Sequence, residues 1–292
     1  EYSMSNDGTV GSDLVKYTCS HCGAEIITDR STAATVCVYC GNAVIMGEQI
    51  IDNFSPDYVI PFKVPKNQVM DAFKKFSKKP LTPKDFSCDK VVDKMQGVYI
   101  PFWLYSGNCE GSITAEGINT RTWTSGNYRY TEKKYYSVYR NGTLDFKAVP
   151  VDASSKTDDD AMDSIEPFDY SEMTAFNPGY LSGYLAERYD EDKDKCLPRA
   201  KERIENTTRD ELRNTCNYNS VNVQSYEKHT EIKDVKYAML PTWLLYTTYQ
   251  DKPYFFAMNG QTGKFIGNLP ISKGKLVAYS LLGGVGGYII GA

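Results

Sequence analysis

At 292 residues the chain is long enough for two or three units that each bury a core. Hydrophobic residues make up 41% and charged residues 24%, which excludes a disordered chain. The net charge of −4 excludes a general electrostatic pull toward nucleic acid. The 23 Tyr, beside 12 Phe and 3 Trp, favour pleated, half-buried surfaces and lean the fold toward β structure. Eight cysteines are too sparse for a secreted disulfide scaffold. Four of them form two C-x-x-C pairs, while Cys88, Cys109, Cys196 and Cys216 stand alone, a pattern that suits metal ligation in a reducing compartment.

Residues 1–16 are polar, carry Gly8 and Gly11, and read as a linker. The chain begins at Glu1 with no Met and no signal-peptide pattern, as a piece of a longer protein would. Residues 17–46 hold Cys19-Ser20-His21-Cys22-Gly23 and Cys37-Val38-Tyr39-Cys40-Gly41, with fourteen residues between the pairs. A C-x-x-C turn aims two sulfurs the same way, and Gly after the second Cys permits the tight left-handed turn that follows. Two such turns facing each other close a tetrahedral thiolate shell, so Cys19, Cys22, Cys37 and Cys40 are expected to hold one structural Zn2+; a rubredoxin-like iron is the alternative metal. With four Cys ligands no coordination position stays open for catalysis, and His21 reads as a surface residue.

Residues 57–64 read as a strand, and residues 66–78 as an amphipathic helix with Val69, Met70, Phe73 and Phe76 on one face, closed by Pro80 and Pro83. Residues 97–106 form a β segment whose Pro101 suits an edge or bulge. Two further strands, 128–139 and 143–151, are expected around a hairpin turn at Asn141-Gly142. Residues 153–217 read as a helical insert. Asp158, Asp159 and Asp160 precede a short helix, and Asn177 and Pro178 start another with Leu181, Tyr184, Leu185 and Tyr189 inward. Pro198 lies near the start of a third, with Leu197, Ala200, Ile204 and Leu212 as its apolar stripe. Strands return at 236–248, 254–258 and 264–269. The segment Pro101-Phe102-Trp103-Leu104 is echoed by Pro241-Thr242-Trp243-Leu244, which suggests two related β-rich units, 56–152 and 218–271.

Residues 276–292 contain no charge. A spanning helix needs about 20 apolar residues, so this run is expected to begin a transmembrane helix, with Gly283, Gly287 and Gly291 at the spacing of close helix packing. Lys273 and Lys275 before it place the preceding part on the cytoplasmic side of the cell membrane.

Other motifs have plainer explanations. Residues 128–140 interleave tyrosines with Arg129, Lys133, Lys134 and Arg140, a composition that can stack on nucleic acid. A twisted hairpin with solvated charge explains it better in an acidic chain. Residues 260–264, GQTGK, lack the first Gly and the final Ser or Thr of a phosphate loop and read as a hairpin turn. Asp158, Asp159, Asp160 and Asp163 lack the spacing of a calcium loop. Neither His21 nor His229 sits in a catalytic motif.

The stretches CSHCGAEI and CVYCGNAVI, DYVIPFKV, GVYIPFWLY, VPVDASSKTDDDAMDSIEPFDY, GYLSGYLAERYD and YAMLPTWLLYTTYQDKPYFFAMNGQTGKFIGNLP together cover nearly the whole chain. In them the chain resembles bacterial membrane-anchored proteins with a TFIIB-type zinc ribbon, a family often labelled as replication-restart or primosomal helicase. The resemblance carries the four ribbon ligands to Cys19, Cys22, Cys37 and Cys40 and supplies no catalytic residue. It implies membrane partners of the SPFH-like or phage-shock-like kind that act in envelope stress. The helicase label finds no Walker motif here.

The expectation is therefore an α+β fold: a linker (1–16), a zinc ribbon (17–46), two β-rich units with a helical insert between them, and the start of a transmembrane helix (276–292). The expected function is that of a non-enzymatic scaffold on the cytoplasmic face of the membrane that binds protein partners. A nucleic-acid-binding accessory protein of replication or transcription is the alternative.

Overall fold

The structure is a computed structural model that describes residues 14–18, 21, 23, 25–29, 32–36, 43–45, 55–83, 86, 95–276 and 279. Two short strands, β1 (Leu14–Thr18) and β2 (Glu25–Asp29), pair antiparallel as a sheet of their own. The remaining strands belong to one ten-stranded mixed sheet. They are β3 (Thr32–Val36), β4 (Ala43–Ile45), β5 (Tyr58–Val59), β6 (Gln96–Ser125), β7 (Tyr128–Asp152), β8 (Thr174–Ala175), β9 (Leu185–Glu187), β10 (Ser220–Tyr249), β11 (Lys252–Asn259) and β12 (Phe265–Gly267). The order is β12-β11-β10-β6-β9-β3-β4, with β7 paired to β6, β5 to β10 and β8 to β5. The β5–β10 and β6–β9 pairs are parallel. Among the described residues, helices accompany the sheet at α1 (Lys66–Ser77), α2 (Asp159–Ser164) and α3 (Lys193–Asn214).

The chain divides into two compact units, one of Glu1–Pro101, Ser154–Asp190 and Ala238–Ala292, the other of Phe102–Ala153 and Glu191–Tyr237. This architecture corrects the expected succession of a zinc ribbon, two tandem β units and a transmembrane helix. The segments expected to head separate tandem units are stretches of β6 and β10 in one sheet. Among the described residues no group of three or more His, Cys, Asp or Glu could hold a metal ion. Cys19, Cys22, Cys37 and Cys40 lie outside the described residues.

The membrane expectation is corrected as well. Among the described residues no helix is long and apolar enough to cross a membrane, which overturns the transmembrane helix and the membrane placement drawn from it. Most of 276–292 lies outside the described residues. The segment leading into it is tied to protein: Ser272 N–H donates to Leu81 O at 2.9 Å and Lys275 Nζ to Thr82 O at 2.6 Å.

In the first unit, α1 buries Val69 and Phe73. They join Phe86, Met95, Trp243, Leu245, Phe256 and Met258 in the core, with Phe73 edge-on to Phe256 at 5.2 Å. The Trp243 indole donates to Val64 O at 3.0 Å. The region read as a helix from Asn177 is instead a 3-10 turn, Pro178–Leu181, followed by β9. Asn177 caps that turn through Gly179 N–H, but Gly183 at φ 87° turns the chain out of any helix.

The turn at residues 259–263 is fixed by Asn259. Its Oδ1 accepts from Gln261 N–H and Thr262 N–H, both at 2.9 Å, while its Nδ2 donates to Ile165 O and Pro167 O at 3.0 and 3.2 Å. Gln261 extends the network, its Nε2 donating to Asp169 O and to Glu172 Oε2.

In the second unit, α3 lies against the β6–β7–β10 part of the sheet. Its buried residues Cys196, Ala200, Ile204, Thr208 and Leu212 recur every four positions, one face of an α-helix. Asp192 caps it by accepting from Asp194 and Lys195 N–H. Asn141 and Gly142 are not a turn. They pair with Ser112 and Gly111 inside the β6–β7 ladder. A side chain at Gly111 would meet Thr208 and Leu212 within 3.1 Å, so glycine there lets α3 approach. The true turn is Gly126-Asn127, with Gly126 at φ 59° closing the Ser125–Tyr128 pair.

Asn259→Ala orphans two carbonyls and two amides in a fully buried site. At about 1–3 kcal/mol per buried unsatisfied group, it is expected to lower unfolding free energy by about 2–4 kcal/mol in a denaturant titration. Asn268→Ala, at an exposed position, is expected to change it by less than about 0.5 kcal/mol.

Candidate interaction surface

Cys19, Cys22, Cys37 and Cys40 lie outside the described residues, which flank them in the sequence. Thr18 pairs with Glu25 at the end of the β1–β2 hairpin, so residues 19–24, with Cys19 and Cys22, connect its strands. Val36 pairs with Ala43 at the end of the β3–β4 hairpin, so residues 37–42, with Cys37 and Cys40, connect those. Cys109, Cys196 and Cys216 are buried elsewhere in the fold.

No candidate acid–base site emerges from the titrating groups that shift. Burial pushes the Tyr99, Tyr105 and Tyr226 phenols well above their ordinary range, and Tyr105 and Tyr226 spend their hydroxyls on Lys193 O and Glu205 O. Hydrogen bonds from Ser171 hold Asp169 below the usual carboxylate range, and the Lys63 ammonium and Gln261 amide do the same for Glu172. All of these shifts move the group away from neutrality, opposite to the tuning of a general acid or base.

The most exposed apolar surface lies on the β6–β7 hairpin. Every residue from position 120 to 137 is exposed, so this part of the two-stranded ribbon is solvated on both faces. Strand alternation sorts its side chains. On the face that carries Ala115 and Val138 farther back, Trp123 stacks on its cross-strand neighbour Tyr130 at 5.6 Å and 15°. The Arg121 guanidinium lies 5.6 Å from the Trp123 ring centroid, and Tyr136 leans on Tyr218 at 5.1 Å. The opposite face presents Arg129, Lys133, Tyr135, Ser137 and Tyr139, with Ile118 beside Tyr135 and Thr114 beside Tyr139. Tyr128, Tyr135 and Tyr139 are 71%, 60% and 61% exposed, well beyond the partial burial expected of strand tyrosines. Residues 121–140 contain Arg121, Arg129, Lys133, Lys134 and Arg140 against the single acid Glu132, in a chain of net charge −4.

The sequence pointed to residues 128–140 and missed Arg121 and Trp123. The alternating run Thr120-Arg121-Thr122-Trp123-Thr124 was the signal that could have found them. The two histidines expected to be idle are separated in the chain, and His229 lines a shallow depression of about 410 Å³ with Glu110, Tyr139, Glu227 and Lys228.

Among known proteins, the chain is 38% identical over 317 aligned positions to a Bacillus subtilis (strain 168) protein named "Uncharacterized protein YdjG", an alignment covering 91% of this chain and 93% of the relative. No protein-family model matches the chain. No solved structure matches it.

If the exposed tyrosines serve binding and not folding, Tyr128→Thr, Tyr135→Thr and Tyr139→Thr are each expected to shift unfolding free energy by less than about 1 kcal/mol. Phe256→Ala, which empties a fully buried site, is expected to cost about 3–5 kcal/mol. Parallel denaturant titrations check the contrast.

Proposed function

The chain belongs to the family of the Bacillus subtilis protein YdjG, and we propose for it a non-enzymatic adaptor role: it binds a protein partner through the solvated β6–β7 ribbon. The observation that carries this reading is the row of exposed aromatics on a hydrogen-bonded scaffold. Large rings held rigidly in water cost little further conformational entropy on binding, which is why Tyr, Trp and Arg dominate binding hot spots. Supporting it, the buried polar side chains around Asn259 and Gln261 are engaged in holding loops together, and the shifted carboxylates sit far from neutrality.

A second reading, nucleic-acid binding, draws on the same ribbon: the stacked Trp123–Tyr130 pair and five basic side chains make a stacking platform with a cationic rim. The acidic chain as a whole favours a protein partner.

Affinity purification of the tagged chain from native extract is expected to retain a discrete protein, and Trp123→Ala with Tyr135→Thr is expected to release it. Recovery of no protein with either form overturns the adaptor reading.

We further propose that Cys19, Cys22, Cys37 and Cys40 hold a structural Zn2+. The two C-x-x-C pairs of the sequence support it, since four thiolates are the ligand set of a closed structural zinc site with no open coordination position. Elemental analysis of the purified chain is expected to give about one zinc per chain, lost on Cys19→Ser or Cys37→Ser. A metal content that these substitutions leave unchanged excludes these ligands.

A further inference from the structure

β7 is 25 residues long, and among the described residues it pairs only with β6. Its outer edge therefore carries a row of backbone N–H and C=O groups with no strand beside them. Such an edge is a template for an added strand. The side chains along it set what the added strand can be.

On one face, Tyr135, Ser137 and Tyr139 follow one another at alternate positions. At about 3.3 Å per residue the two tyrosines stand roughly 13 Å apart along the strand. Between them stands the small Ser137, paired with Glu116 of β6, so on the open side of β7 a side chain of an added strand can lie between the two rings. Arg129 and Lys133 continue that face toward the turn. On the other face, Lys134 and Arg140 flank Tyr136 and Val138, and Glu132 is the one acid, 3.9 Å from the Lys134 ammonium. Side chains directly opposite in a strand pair interact, and like charges there repel.

From this edge we infer that β7 is the docking strand for an extended acidic polypeptide, which adds to the sheet beside residues 129–140. Acidic residues of the incoming strand lie opposite Arg129, Lys133, Lys134 and Arg140, and an apolar side chain enters between Tyr135 and Tyr139. The inference rests on the partner-binding reading and names the chemistry of the partner. The edge recognises a polypeptide because it offers alternating donors and acceptors at strand spacing. It disfavours a second copy of itself, since edge-to-edge pairing would set its cations against one another.

The test uses the full chain and three labelled probes in fluorescence anisotropy at low and high salt: a Glu-Tyr peptide with Glu at the positions that face residues 129, 133, 134 and 140 and one Tyr at the position that faces residue 137, the same peptide with Lys for Glu, and oligothymidylate. The Glu-Tyr peptide is expected to bind, more weakly at high salt, and the Lys-Tyr peptide not to bind. Lys133→Glu with Lys134→Glu is expected to weaken the Glu-Tyr peptide by roughly tenfold or more, with the circular dichroism spectrum unchanged. Hydrogen exchange is expected to slow across residues 129–140 when that peptide is bound, which a purely ionic association would not produce. Preference for oligothymidylate, binding that ignores the charge reversal, or exchange that stays fast in β7 each overturns the inference. A native partner that is retained equally by the charge-reversed chain overturns it too, while leaving the adaptor reading standing.

Discussion

Backbone polarity is the constraint that shapes this molecule. A strand running from Gln96 to Ser125 keeps its amides and carbonyls satisfied only if partners run beside it. β7 supplies one partner continuously, from the Phe102–Asp152 pair to the Ser125–Tyr128 pair, with one register shift between Tyr105 and Gly107. There the chain bends: Ala148 takes φ 53°, and its amide donates to Ser106 Oγ at 3.1 Å. Everything else in the second unit is fitted to this ladder. α3 approaches over Gly111, Tyr105 anchors its first turn through Lys193 O, and Tyr226 anchors its middle through Glu205 O. A side chain at position 111 would press on Thr208, Leu212 and Tyr226, which must shift to admit it.

The parts of the fold that were legible in sequence are those governed by local chemistry. Val69 and Phe73 at helical spacing mark α1, and Ala200, Ile204 and Leu212 mark α3. Asp158 accepts from Ala161 N–H at 2.8 Å, and the Asn259-Gly260 region makes its turn. What was illegible depends on partners far away in the chain. Asn141-Gly142 has the chemistry of a hairpin turn, yet the neighbouring β6 and α3 hold it extended. Leu185, Ala186 and Glu187 carry a helical pattern, yet pairing of Val98 with Leu185 and of Ala34 with Ala186 draws them into the sheet. The uncharged run from 276 misled in the same way: composition alone marks a membrane segment, and hydrogen bonds from Ser272 and Lys275 to the Leu81–Thr82 loop are visible only in three dimensions. For the candidate site, the residues of the ribbon could be read, but their exposure on both faces could not, because exposure depends on what fails to pack against them.

The abundance of tyrosine has two separate causes. Tyr105 and Tyr226 are anchors, each with the ring packed and the hydroxyl donated to a carbonyl; Tyr99 is another, its ring buried and its hydroxyl accepting from Phe62 N–H. A buried phenol without such a partner would cost about 1–3 kcal/mol, so these tyrosines are explained by folding alone. Tyr128, Tyr135 and Tyr139 share none of these properties. They take no part in the described core cluster of their unit, and they keep most of their surface in water. Threonine would serve the strand as well at those positions, as it does along the facing β6 at Thr114, Thr120, Thr122 and Thr124. Tyr128, Tyr135 and Tyr139 gathered on β7 with Arg129, Lys133 and Lys134, across from Ser125, Ile118, Thr114, Thr124, Thr120 and Asn119 of β6, are an asymmetry that strand stability does not require. The asymmetry supports the proposed partner contact and favours the β7 side of the ribbon for it.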